Sequence, residues 1–541
     1  MQGDKLVHEI LEQQRQMNAA LQKNNENLVE QVRRLTEQVS FLTQKLYGRK
    51  SEKTSALMDG QQLIPGVFNE AEITADTVVA EPEILEKPLR RTRAGYSRKD
   101  AFANLPVEEI HCKVDAADRV CPDCGSELVS IGQKLIRQEL HYIPAKLSIQ
   151  NIYAESYECR PCRKAGKPAI LQARTPEPVL QHSYASASTI AWTIYQKYVQ
   201  AVPLYRQEKD WKAMGADVVN RQVLSNWILK TTQEWLQPVV EYMSQIQKQD
   251  RYLHMDETPL QVLKEPGRSD KTKSHMWVIA SSEHAQKPVR IFHYAPGRGG
   301  KYAKDYLSGF TGYLHTDGYS GYNGLTDIKR CQCWAHVRRG FADCLKGKSD
   351  SERQDTLAAQ GLAYCNKLFE LEQKFKTMPA EHRHKARLSE SKPVLEAFWT
   401  WAEDALTRVL PKTRIGTAIQ YALARKNDLE TFLEDGYCAI SNNPAKNSIL
   451  PFTVGRKNWL FAGSPAGAHA SACVYSLIET AKANGIEPYA YLNTLLMLIP
   501  GSDYRKNTTM MEQLMPWHEF MQVLRDKKSQ ADSVAVYTSI A

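Results

Sequence analysis

No apolar run in this sequence approaches the roughly 18 residues that a membrane span requires, so no membrane helix is expected. The chain does not open on a positively charged segment followed by an apolar stretch, which argues against a secretory signal. Its cysteines number eleven, an odd count, and without secretion a disulfide framework is not expected either. A strong charge of one sign is also lacking, the net charge being +9 over 541 residues with a pI near 8.8. That balance permits a polyanionic partner without demanding one. Apolar residues are plentiful at 42%. The length exceeds what one core can serve and predicts about three or four domains of a cytoplasmic protein.

Between Lys5 and Tyr47 there is neither proline nor glycine, and one long helix is predicted. Leu28, Val32, Leu35, Val39, Leu42 and Leu46 recur at alternating steps of four and three, which keeps one seam turned to a partner helix. The two valines fall at a and Leu28, Leu35 and Leu42 at d, the arrangement of parallel pairs. Asn18 and Asn25 lie further up the a row, where they fix register at a cost in stability. Residues 1–50 are read as a coiled coil that makes the chain a homodimer or higher assembly, with an amphipathic helix folded on its own domain as the alternative. Residues 51–105 carry Pro65, Pro82 and Pro88 and pass from acidic Glu70, Glu72 and Asp76 to basic Arg90, Arg91 and Arg93, as a linker does.

Within residues 106–170, Cys121 and Cys124 form one C-x-x-C and, after 34 intervening residues, Cys159 and Cys162 form a second. Four thiolates in two such knuckles match a closed tetrahedral zinc site, so a zinc-ribbon-like module is predicted. Residues 171–248 turn helical. The stretches 204–214 and 220–230, separated at Gly215, have helix-turn-helix proportions with Asn220 as the N-cap of the second. Arg221, Gln222 and Asn226 then lie on an exposed face as groove-reading candidates. The alternative is an ordinary αα-hairpin packed on Trp211, Leu224 and Trp227.

Residues 252–259 alternate apolar and aromatic side chains up to Asp256 and are read as a short buried strand, ended by a turn at Thr258 and Pro259. Residues 312–319 repeat the pattern and bring Asp317 to a second strand end, just ahead of Gly318. Two carboxylates delivered by separate strands are what a divalent-metal site needs. Strand-like runs at 275–280 and 288–294 and a helix at 301–307 lie between them. The order strand, strand, strand, helix, strand matches the opening of a ribonuclease-H-like fold. A fifth strand is read at 328–336, leading into a helix from Val337. A helical insertion comes next at about 346–435, with Trp399 and Trp401 expected in its core. Residues 249–486 form this α/β core, and 487–541 a helical tail.

The motifs at 254–258 (HMDET) and 315–319 (HTDGY) resemble those of the DDE transposases of the insertion-sequence 66 family. The resemblance extends to 46–52 (LYGRKSE), to the four-cysteine module, to 455–463 (GRKNWLFAG) and to 475–485 (YSLIETAKANG), in the family's order over nearly the whole chain. It implies a multidomain α+β transposase that binds the terminal inverted repeats of a mobile element, then cuts and joins DNA with Mg²⁺ or Mn²⁺. Asp256 would bridge two ions and Asp317 hold one, beside a structural zinc on Cys121, Cys124, Cys159 and Cys162. The resemblance also tips the helical region towards DNA. It implies backbone contacts by Arg338 and Arg339, next to His336, and by Arg456 and Lys457. The implied partners are the duplex DNA of element ends and target, and small accessory transposition proteins. The implied setting is the bacterial cytoplasm, on the nucleoid.

One short segment, 441–451, departs from the pattern. Lys446 stands where the family carries its catalytic Glu, Leu450 where an Arg is usual, and Ser441 where an Asp is common. An ammonium has three donors and no acceptor, so it cannot ligate a metal ion. The departure implies an alternative function, a non-catalytic DNA-binding protein derived from a transposase. Glu434, Asp435 and Glu479 are the acids close enough in sequence to be weighed as substitutes.

Overall fold

The computed structural model describes residues 147–525 except 159, 165–169, 348 and 354–355, together with Met17 and Gln22. The coiled coil, the linker, Cys121, Cys124 and Cys159 therefore lie outside the described residues, while Cys162 falls in the short helical segment Arg160–Lys164. Beside it, β1 (Ser156–Glu158) pairs antiparallel with β2 (Ile170–Gln172). The chain divides into two compact units, and the larger, Lys113–Thr407 with Ala418–Ala541, contains the central sheet and the helices around it.

Five strands build the central sheet: β3 (Tyr252–Gln261), β4 (Lys273–Ser281), β5 (Arg290–Ala295), β6 (Tyr313–Thr316) and β7 (Lys329–Gln332). They lie in the order β5-β4-β3-β6-β7. β4 runs antiparallel to both β5 and β3, and β6 and β7 run parallel to β3. A sheet covered on both faces needs strands apolar on both sides; all four residues of β6 are accordingly buried. On one face Leu253, Met255, Trp277, Ile279 and Leu314 pack with Ala303 and Leu307, around the helix Gly300–Tyr306 that joins β5 to β6.

The strand expected to stop at Thr258 and Pro259 continues to Gln261, paired throughout with β4, Pro259 lying opposite His275. The reason is an edge. β6 pairs with β3 only as far as His254, so beyond that row the far side of β3 is open. The Pro259 carbonyl points to that side, where it accepts from Arg456, and the missing proline N–H costs no ladder bond there.

Helices α1 (Ala187–Tyr198), α2 (Leu204–Ala213) and α3 (Arg221–Thr231) precede the sheet. Asn220 caps α3, its Oδ1 accepting from the amides of Gln222 at 3.0 Å and Val223 at 3.1 Å. Gly215 takes φ +90° at the turn after α2, a conformation that favours glycine. Trp211, Leu224 and Trp227 are buried, in a cluster shared with the back of the sheet.

After β7 comes α4 (Trp334–Cys344), which starts three residues before the expected Val337. It packs on the insertion helix α5 (Leu357–Phe375), where Gly361 faces Phe341, and on α6 (Lys392–Thr407), where Trp334 and Phe341 meet Phe398 and Trp399. Trp399 is buried and Trp401 half-buried against Phe341, Tyr364 and Phe398, as aromatics of a core are. The chain returns through α7 (Asn443–Trp459), α8 (Pro465–Ala483) and α9 (Pro488–Leu498). Small residues let α8 bury itself almost entirely along β5. There Ser476 Oγ and Thr480 Oγ1 accept from the backbone amides of Phe292 at 2.8 Å and Arg290 at 3.0 Å, which satisfies that sheet edge.

Candidate functional site

Parallel pairing of β3 with β6 sets His254 opposite His315. Two residues beyond that row, both strands bring an aspartate to the same end of the sheet: Asp256 and Asp317. Neighbouring strands lie about 4.8 Å apart, so the two carboxylates share one locality. Each affects its surroundings differently. Asp256 Oδ1 accepts from the Glu257 amide at 2.9 Å, and Asp317 Oδ1 accepts from the Tyr319 amide at 2.9 Å, fixing the turn that follows β6. Burial pushes the Asp256 carboxyl up to about 7, helped by the neighbouring charges of Glu257 and Asp317, while Lys446 pulls it down.

Beneath the pair lies a buried polar network. His254 and His315 stack with ring centroids 4.2 Å apart. Asn442 Nδ2 donates to the Met255 carbonyl at 2.8 Å, which turns its Oδ1 towards His254 Nδ1 at 3.2 Å, so that nitrogen carries the proton. His315 Nδ1 donates to the Leu253 carbonyl at 3.3 Å, and its Nε2 accepts from the Ala439 amide at 2.9 Å. Burial holds both rings below the ordinary histidine range, that of His315 at about 4. The network ties 439–442, the approach to α7, onto the strands that carry the aspartates. Asn442 spends its side chain there and leaves α7 without a side-chain cap.

Lys446 sits in the first turn of α7, and its ammonium donates to His336 Nε2 at 3.1 Å. That contact places the His336 proton on Nδ1, which is buried and finds no partner among the described residues. Burial first and Lys446 second push His336 down to about 4, while Asp317 acts the other way. His336, Lys446, Asp256 and Asp317 thus form one electrostatic group.

Sequence reasoning missed Glu257. Its side chain is only 1% exposed and its two oxygens are occupied: Oε1 accepts from Arg298 Nε at 2.6 Å and Oε2 from the Tyr322 hydroxyl at 2.6 Å. An acid placed directly after Asp256 inside a buried strand was the available signal. The acids weighed as substitutes lie elsewhere. Glu434 accepts from Tyr313 and Lys329, at the opposite end of β6 and β7, and Asp435 accepts from the Tyr252 hydroxyl. Glu479, on α8 beside β5, is paired with Lys482 at 2.8 Å.

Two aspartates are suitable oxygen donors for a hard divalent ion. The third corner, however, holds an ammonium, and among the described residues no three His, Cys, Asp or Glu side chains form a group able to hold a metal ion. The donor set does not fit a two-ion centre with three carboxylates. The other candidates lie on separate surfaces. Arg221, Gln222 and Asn226 are exposed on α3, with Gln222 Nε2 donating to Asn226 Oδ1 at 3.1 Å. Arg338 and Arg339 are exposed on α4, where Arg338 Nε donates to Asn366 Oδ1 at 2.7 Å. Lys457 is exposed on α7, and Arg456, half-buried, donates to Thr258 Oγ1 at 3.1 Å and to the Pro259 carbonyl.

Residues 182–470, more than half of the chain, match the profile of the Transposase IS66 family. Residues 118–163, which contain all four knuckle cysteines, match the zinc-finger binding domain of transposase IS66. Residues 476–517 match the IS66 C-terminal element, and 34–110 a profile described as Transposase C of IS166 homeodomain. The chain belongs to the IS66 transposase family. Among its relatives are two uncharacterized proteins of Sinorhizobium fredii (strain NBRC 101917 / NGR234). One, y4qI, is 29% identical over 512 residues, covering 90% of this chain and 89% of its own. The other, y4jD, is 25% identical over 512 residues, covering 92% and 97%. No helix among the described residues is long and apolar enough to cross a membrane.

Proposed function

We propose that this chain is an IS66 transposase that holds the DNA ends of its mobile element but has lost, or nearly lost, the ability to cut and join them. The observation that carries the reading is Lys446: its ammonium lies 3.1 Å from His336 and acts on Asp256, at the position where the family carries a catalytic Glu. A fixed cation at this place repels a divalent ion and supplies no ligand. Glu257 is no ready substitute, because Tyr322 and Arg298 already occupy its oxygens.

The strand order and directions support a ribonuclease-H-like sheet, with the aspartate pair just past the last row that joins β3 to β6. The exposed polar face of α3 supports reading of a DNA groove by Arg221, Gln222 and Asn226. The exposed guanidiniums of Arg338 and Arg339 suit phosphate contacts, which position rather than specify. Dimerisation through residues 1–50 and accessory proteins belong to the same reading.

The test compares the wild type with Lys446→Glu on a duplex carrying the element's own ends, in Mg²⁺ or Mn²⁺. End binding by both proteins, with cleavage and joining only by Lys446→Glu, is expected. Full joining by the wild type would refute the reading.

A further inference from the structure

Three residues beyond Asp256 along β3, a groove of about 390 Å³ opens between the end of β3, the start of β4 and the C-terminal turns of α7. Its lining is unusual for a surface next to a buried sheet. Lys271, Lys273 and Arg456 supply its charge, and Pro259 and Leu460 its apolar wall. Lys271 and Lys273 are exposed and, like Arg456, take no acidic partner among the described residues. The nearest acids are engaged elsewhere. Asp270 Oδ1 accepts from the Lys264 amide, and Glu265 is buried with Arg268, Ser274 and Tyr294. Arg456 spends one amino group on Thr258 and Pro259, which anchors the guanidinium at the groove wall.

Leu460, which lines the groove, is 65% exposed, and Phe461, the next residue in the chain and outside that lining, is 43% exposed. Leu460 takes φ +62°, a left-handed conformation that a leucine seldom adopts. The segment is held there by a short parallel bridge: Leu263 N donates to the Ala462 carbonyl at 2.9 Å, and Ala462 N to the Gln261 carbonyl at 3.0 Å. The exposure of Phe461 is thus built into the backbone rather than left by a loose loop.

Unpaired cations beside an exposed aromatic are the combination that binds a nucleic acid strand with little regard to sequence, phosphates meeting the cations and a base stacking on the ring. The distance fits. Three residues of strand at ~3.3 Å each put the groove about 10 Å from Asp256, within the reach of a strand that leaves the aspartate pair. We infer that this groove binds a single-stranded stretch of DNA leaving the aspartate pair, its phosphates on Lys271, Lys273 and Arg456 and one base stacked on Phe461. The inference rests on the reading of the chain as a protein that acts on DNA, and it assigns the path of one strand within that reading.

Fluorescence anisotropy of the full chain with labelled oligothymidine, and with a blunt duplex carrying the element's ends, both without added divalent metal and across a salt series, tests it. Lys271→Glu/Lys273→Glu is expected to weaken oligothymidine binding at least about tenfold and to flatten its salt slope by about 1 to 2. Phe461→Ala is expected to weaken it about tenfold with the slope unchanged, because stacking releases no counterions. These side chains are exposed, and unchanged melting temperatures certify the variants; the milder Lys271→Gln/Lys273→Gln serves if the charge reversal perturbs folding. If the wild type binds the blunt duplex while the groove variants bind oligothymidine as it does, the groove assignment is overturned and the DNA-acting reading stands. If the wild type binds neither DNA, both fall. Displacement by polyglutamate of a probe whose binding these substitutions leave unchanged would also overturn the assignment.

Discussion

Lys446 sets a positive charge at one corner of the site, and its neighbours register it. Two unit charges about 4 Å apart at an effective dielectric near 20 interact by roughly 4 kcal/mol, so exchanging an anion for a cation here outweighs any single hydrogen bond around it. His336 is the reporter. Burial and then Lys446 lower it to about 4. Replacing Lys446 with Glu is expected to raise the His336 pKa by more than a unit, read by NMR titration of the ring protons without added divalent metal; an unmoved value would mean that the two side chains do not meet in solution. The stability consequence has a definite sign. The folded value lies below the unfolded value of about 6.5, so the unfolded chain binds more protons in between. Stability contributed by the neutral ring is complete above about 6.5 and is lost as the pH falls towards 4. The drop in melting temperature between pH 7.5 and pH 5 is therefore expected to be smaller in Lys446→Glu than in the wild type. Asp256 and Asp317 were legible as candidates in the sequence because each ends an apolar alternation. Glu257 was overlooked although an acid directly after Asp256 was visible, since nothing in a linear pattern announces that Tyr322 and Arg298 will close over it.

Among the elements, α3 is the one whose start was readable residue by residue. Asn220 caps it through two backbone amides. Removing that side chain leaves both donors to water, so Asn220→Ala is expected to cost about 1 kcal/mol, and Asn220→Asp much less. The midpoint of denaturant unfolding measures the difference, and an unchanged midpoint for the alanine variant would reject the capping role. The register of β3 was read less well. Pro259 looks like a turn when the chain is read alone, because proline removes a ladder donor. It is tolerated here because β6 has already parted from β3, and that parting belongs to the neighbour rather than to the residue. The early start of α4 at Trp334 has a similar cause: the Trp334 amide donates to the Ile440 carbonyl and its indole to the Leu429 carbonyl, both from the returning chain.

For the whole molecule, the four knuckle cysteines within the zinc-finger match predict a module whose folding depends on its metal. A strong zinc chelator is expected to release zinc and abolish an early unfolding transition. The later transition, that of the sheet and its helices, should stay in place, since the buried clusters described around the sheet run from Val179 to Leu524. Loss of both transitions together would show the metal to be integral to the entire fold. What the sequence by itself determined here is whatever is carried by local period and by residue chemistry: the strands and their order along the chain, the capped helix pair, the cysteine spacing, and a lysine that cannot ligate a metal. Tertiary structure alone decided which strands became neighbours, that Lys446 would meet His336 beside Asp256, and that Lys271, Lys273, Arg456 and Leu460 would border one groove. The physical reason is separation along the chain. Those contacts join segments far apart in sequence, and only the packing of α7 against β3 and β4 brings their charges within reach of one another.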